Sequence, residues 1–96
     1  MMKKLLLLAC LALPCAAHAQ TVTFTTEDYA PFNYREGKEI KGATVEQVEK
    51  VMAAIGVDYT IEIMPWARAF GLARTAPMTC VFATAHNGAR DPLFKW

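Results

Sequence analysis

The sequence predicts an α/β fold in which short strands alternate with two helices around a parallel sheet. Three observations carry this. Apolar residues alternate with polar ones in "TVTFT" (residues 21–25) and in "VDYTIEIM" (57–64), which is the period of a strand. Between them "TVEQVEKVMAAIG" (44–56) carries apolar residues at helical spacing. After them a second helical segment leads to a compact apolar run, "TCVFATA" (79–85). The order is β-α-β-α-β, with right-handed crossovers expected.

Residues 1–19 read as a signal peptide. "MMKK" gives a positive start, "LLLLACLALP" an apolar run, and Ala17 to Ala19 ("AHA") a small-x-small cleavage pattern. Cleavage after Ala19 leaves 77 residues, 20–96, as one exported, soluble, periplasmic domain. A lipoprotein signal is the lesser alternative, since "LLAC" (Leu7–Cys10) loosely matches a lipobox, yet the chain stays apolar to Leu13. The run is shorter than the roughly 20 residues a spanning helix needs.

In the expected domain Val22 and Phe24 share the core face of the first strand, and "TEDYAPFNY" (26–34) forms a loop. "REGKEIKG" (35–42) reads as a turn or a small exposed hairpin. The helix that follows takes Thr44 as cap and Gln47 as its capping-box partner, with Val45, Val48, Met52 and Ile55 inward and Gly56 as a left-handed terminus. Val57, Tyr59, Ile61 and Ile63 line the covered face of the second strand. Pro65 suits the first turn of the second helix, which runs to about Thr75 with Ala69, Leu72 and Ala73 inward, and Pro77 ends it. "TCVFATA" is expected as a buried strand and "HNGARDP" (86–92) as a loop.

Charge and composition exclude several functions. Without Lys3 and Lys4 the chain holds eight basic and nine acidic residues, interspersed, which attracts neither nucleic acid nor an anionic membrane. Cys10 and Cys15 leave with the leader, so Cys80 is a lone thiol, either buried in its strand or awaiting a partner. His86 is then the only histidine, and no metal-ligand spacing, glycine-rich phosphate loop or serine is present. Glu27 and Asp28 are neighbours rather than a spaced carboxylate pair. Binding without a cofactor fits better than catalysis.

Ligands of open α/β sheets sit at the carboxyl ends of the strands. Here three loops meet that description: "TEDYAPF", "MPWAR" and "TAHNGAR". They place Trp66 and Arg68 at the mouth of a cleft beside Tyr29 and Arg90. Each residue also has a plainer role open to it. Trp66 could cover a core rim, Tyr29 and Phe32 could staple their loop, Arg68 could be a solvated surface cation, and Arg90 with Asp91 an ordinary surface pair.

Taken together, "TEDYAPFNY", "KGATVEQVEKVMAAIGVDYTIEIMPWARAF" and "VFATAHNGARDPLFKW" resemble extracellular solute-binding proteins of family 3. These are type II periplasmic binding proteins that feed ABC importers for amino acids and related solutes. The resemblance covers nearly all of residues 20–96 and implies an incomplete first lobe of that fold, acting as a monomer on a small carboxylate-bearing solute with a membrane permease as partner. It implies that Tyr29 and Trp66 pack on the two sides of the solute and that Arg90 grips its carboxylate. Residues 83–85, with Thr84 and Ala85, would help hold the same carboxylate, Thr26 the amino group, and Arg68 would stand beside them. Ala85 and Ala89 occupy positions where amino-acid binders commonly carry a hydroxyl and an acid. The chain resembles the N-terminal part of such a protein, whose second lobe and hinge lie beyond its pattern. Two alternatives remain: a catalytic branch of the same fold, such as a dehydratase or cell-wall lytic appendage using His86 for proton transfer, or a sensor input domain.

Overall fold

The computed structural model describes residues 20–96. The expected leader over residues 1–19, with its lipobox alternative at Cys10, lies outside them. Among the described residues no helix is long and apolar enough to cross a membrane.

The strand nearest the start of the described chain, β1 (Val22–Thr26), becomes the centre of a three-stranded parallel sheet. A small antiparallel hairpin, β2 (Tyr34–Glu36) and β3 (Glu39–Lys41), and then α1 (Ala43–Ile55) lead to β4 (Tyr59–Ile63), which pairs on one side of β1. Helix α2 (Trp66–Thr75) leads to β5 (Thr79–Val81) on the other side, and a short 3-10 helix spans Asp91–Leu93. The sequence pattern is thus realised as a parallel α/β unit, with the hairpin inserted before α1.

Register decides which faces are covered. Phe24 stands opposite Ile61 on one strand and Cys80 on the other. Strand period two therefore gathers Val22, Phe24, Tyr59 and Ile61 on one face, where Phe24 meets Tyr59 and Phe82 edge-on at 6.2 and 6.4 Å. On the opposite face the Thr25 hydroxyl donates to the Ala69 carbonyl of α2 at 2.9 Å. Ala69 is fully buried, because only a small side chain lets the helix backbone come so close.

This corrects the expected core of β1. Val22 and Phe24 are only half-buried, whereas Thr25 and Thr26 are fully buried. A central strand is covered on both faces, and each threonine combines a packing methyl with a hydroxyl satisfied by a carbonyl. Thr25→Val keeps the shape and removes one such bond, so it should lower unfolding stability by about 1 kcal/mol in a urea titration. A loss near zero would mean that α2 is not held there.

The third strand also departs from expectation. β5 is an edge strand of three residues and Cys80 is exposed, a free thiol and not a buried one. Its outer edge has no strand partner among the described residues.

Helix α1 starts two residues earlier than the capping pattern implied. Gly42, with φ of +123°, precedes the first turn, and no side chain caps it. Thr44 is inside the helix, where its hydroxyl donates to the Phe32 carbonyl at 2.7 Å and to Asn33 Oδ1 at 3.0 Å. The bonds of a capping box are therefore not made; the threonine ties helix to loop instead. Val45 and Met52 are buried as their spacing predicts, but Ile55 is 61 % exposed. Gly56 ends the helix in the left-handed region at φ of +68°, its N–H reaching the Met52 carbonyl at 2.9 Å.

Pro65 is the residue before α2 and not part of its first turn. Its carbonyl accepts from the N–H groups of Arg68 and Ala69, both at 3.0 Å. In the hairpin Lys41 lies 3.3 Å from Glu39 and 3.4 Å from Glu36, and the two carboxylates, Glu39 foremost, hold its ammonium above the usual lysine range. A raised value means that the interaction is complete at neutral pH and is lost only at strongly alkaline pH. All three side chains are exposed, so Lys41→Met should leave the melting temperature unchanged.

Candidate functional site

Because β4, β1 and β5 are parallel, the loops that follow them emerge at one end of the sheet. Trp66 opens α2 three residues after β4, and Phe70 lies one turn further on the same helix face, its ring 5.8 Å from that of Trp66. Arg90, from the loop after β5, lays its guanidinium carbon 5.7 Å from the centre of the Trp66 ring and 5.4 Å from that of Phe70. Such contacts attract a cation to a π face.

Local chain geometry sets the arginine there. Asn87 turns the loop, its side-chain oxygen accepting from the Arg90 N–H at 3.0 Å and its carbonyl from the Asp91 N–H at 2.9 Å. Arg90 Nη1 donates back to the Ala85 carbonyl at 3.1 Å. One of five donors is thus spent inside the loop, and the planar group keeps others for a ligand.

A second group of rings stands beside this pair. Phe94 meets Phe70 edge-on at 5.2 Å and Trp96 at 5.7 Å, and Trp96 stacks on His86 at 3.9 Å with 12° between planes. His86 Nε2 lies 2.6 Å from Asp91 Oδ1, and Trp96 Nε1 donates to the Asp91 carbonyl at 3.2 Å. Arg74 approaches Phe70 at 5.9 Å.

The structure therefore brings Trp66 and Arg90 together, and it separates other residues singled out in the sequence. Tyr29 is 61 % exposed and stacks on Phe32 at 5.8 Å, the loop-stapling role, with no ring contact to Trp66 among the described residues. Arg68 is exposed on the first turn of α2 and enters no ion pair among the described residues. Thr26 is fully buried; its hydroxyl donates to the Phe82 carbonyl at 3.0 Å and accepts from Asn33 Nδ2 at 3.3 Å, so it braces the loop instead of facing solvent. Ala85 contributes its carbonyl to Arg90. Thr84 follows Ala83, which has a φ of +55°, and its hydroxyl oxygen is buried without a hydrogen-bond partner.

Sequence reasoning missed Phe70, Asn33 and the Phe94–Trp96 pair. Phe70 was detectable as the i+4 neighbour of Trp66. Asn33 is 1 % exposed and joins the loop after β1 to α1, which no local pattern announces.

An apolar depression lies elsewhere. It measures about 350 Å³ and is lined by Phe24, Val48, Val51, Phe82, Ala83 and Thr84, together with Thr44 and Gln47. It is the partly filled space between α1 and the sheet, apolar over most of its wall. Among the described residues no group of three or more His, Cys, Asp or Glu could hold a metal ion. What Trp66, Phe70 and Arg90 can do is seat a flat anion: an oriented fork of N–H donors beside apolar ring faces. Compared with protein-family models, curated proteins and solved structures, the chain gives no match.

Proposed function

We propose that this chain is a periplasmic solute-binding lobe that serves an ABC-type importer for amino acids or related small carboxylates. In this reading residues 1–19 direct export, the lobe works as a monomer that delivers solute to a membrane permease, and no chemical step occurs. Arg90 would grip the carboxylate and Trp66 would pack on the body of the solute. The observation that carries the reading is the seating of the Arg90 guanidinium on the Trp66 and Phe70 rings, with one donor tied to the loop and the others free for an anion. The unpartnered hydroxyl of Thr84 adds a hydrogen-bonding group in the segment that the resemblance to family 3 assigns to the same carboxylate.

Trp66, Phe70 and Arg90 are each partly exposed, so weak binding is expected. The test is tryptophan fluorescence of the full chain titrated with L-glutamate, L-glutamine, succinate and benzoate. At least one carboxylate should quench or shift the emission, and Trp66→Leu should abolish the response although Trp96 still emits. A flat signal across the panel, or an unchanged response in the leucine variant, would sink the proposal.

A further inference from the structure

We propose that His86, Asp91 and Trp96 form a clasp that positions Arg90 over Trp66 and Phe70. As a contribution to solute binding this rests on the role given to Arg90 above; as a statement about where Arg90 sits it does not.

The contacts close a ring around the arginine. From Phe70, which faces the guanidinium, they pass to Phe94, to Trp96 and to His86 by ring packing at 5.2, 5.7 and 3.9 Å. From His86 they return through Nε2 to Asp91, the residue after Arg90, which also takes the Trp96 indole N–H on its carbonyl. The side chain and the backbone of Arg90 are thereby held by the same circuit. Opening it at His86 or Trp96 frees the loop, whereas the hydrogen bond from Thr25 to Ala69 beneath α2 is no part of this circuit.

The experiment is NMR of the full chain without solute, reading the Arg90 δ-proton signals, which the Trp66 and Phe70 ring currents move upfield. His86→Leu and Trp96→Leu should each return these signals most of the way to their position in free arginine, while the amide signals of Thr25 and Ala69 stay in place as the control for folding. His86→Gln, which can still donate to Asp91, should keep part of the upfield shift. Arg90 signals that hold their position in either leucine variant overturn the positioning role. This readout does not depend on a bound carboxylate, so failure of the clasp and failure of solute binding are told apart.

Discussion

Gly42→Ala is expected to cost about 3 kcal/mol or more of stability, enough to unfold a domain with so thin a core, because backbone strain alone reaches about 1–3 kcal/mol at such a position. Gly42 has a φ of +123°, and a Cβ there would stand 2.1 Å from the Phe32 carbonyl oxygen and 2.9 Å from the Asn33 nitrogen. Both are backbone atoms, so no side chain can swing aside; the loop after β1 or the start of α1 has to move. Gly37 supplies the contrast. It also has a positive φ, +61°, but a Cβ there meets nothing within 4 Å. Gly37→Ala therefore bears conformational strain alone, about 1 kcal/mol. Thermal melts followed by circular dichroism should show Gly42→Ala far below Gly37→Ala. Equal melting temperatures would mean that loop and helix are not in contact at that point.

Asn33→Leu is the second large loss, about 2–4 kcal/mol, because a buried group that loses its partner bears the full cost of desolvation. Asn33 is 1 % exposed. Its Nδ2 donates to Thr26 Oγ1 and to the Glu27 carbonyl, and its Oδ1 accepts from Thr44 Oγ1. One side chain thus fastens the end of β1 to its loop and to α1. Leucine has a similar volume and none of these bonds, so packing is kept while the Glu27 carbonyl is left unpaired. Asn33→Asp should fall between the two, keeping the acceptor for Thr44 and losing the donor. Urea titrations of the three chains give the ranking; an Asn33→Leu chain as stable as the original would remove the hub from the account.

Much of the fold was legible because it rests on periodicity. The alternation of Tyr59, Ile61 and Ile63 gives the half-buried face of β4, the spacing of Val45 and Met52 gives the buried side of α1, and Gly56 and Pro77 mark helix ends where they stand. What escaped depends on the order of strands in space. Nothing local says that the first strand becomes the middle one, so the burial of Thr25 and Thr26 reads as polar alternation. Nothing local says that Thr44 is wanted by Phe32 and Asn33 more than by its own helix terminus. Ile55 was misjudged for a related reason, and Cys80 takes the exposed alternative for the same one: an apolar residue in a periodic element is buried only if something covers that part of the element.

The site divides in the same way. Trp66 and Arg90 were found because each follows the carboxyl end of a strand, which topology alone brings to one place. Tyr29 follows a third such end, yet its ring turns to Phe32, since the loop closes on itself through Tyr29 and Asn33, whose backbone groups bond each other at 2.6 and 3.1 Å. Phe70 belongs to the site through helix geometry, and His86 through its contacts with Asp91 and Trp96, neither of which a list of polar loop residues would reveal.

The most direct measurement is calorimetric titration of the original chain and of Arg90→Lys with the carboxylates of the fluorescence panel. Lysine keeps the charge but loses the planar fork and the ring contact, so affinity should fall about tenfold or more, roughly 1.4 kcal/mol, with the fold intact. A lysine variant that binds the same carboxylate as tightly as the original chain would contradict the assignment of Arg90 as the group that grips the solute.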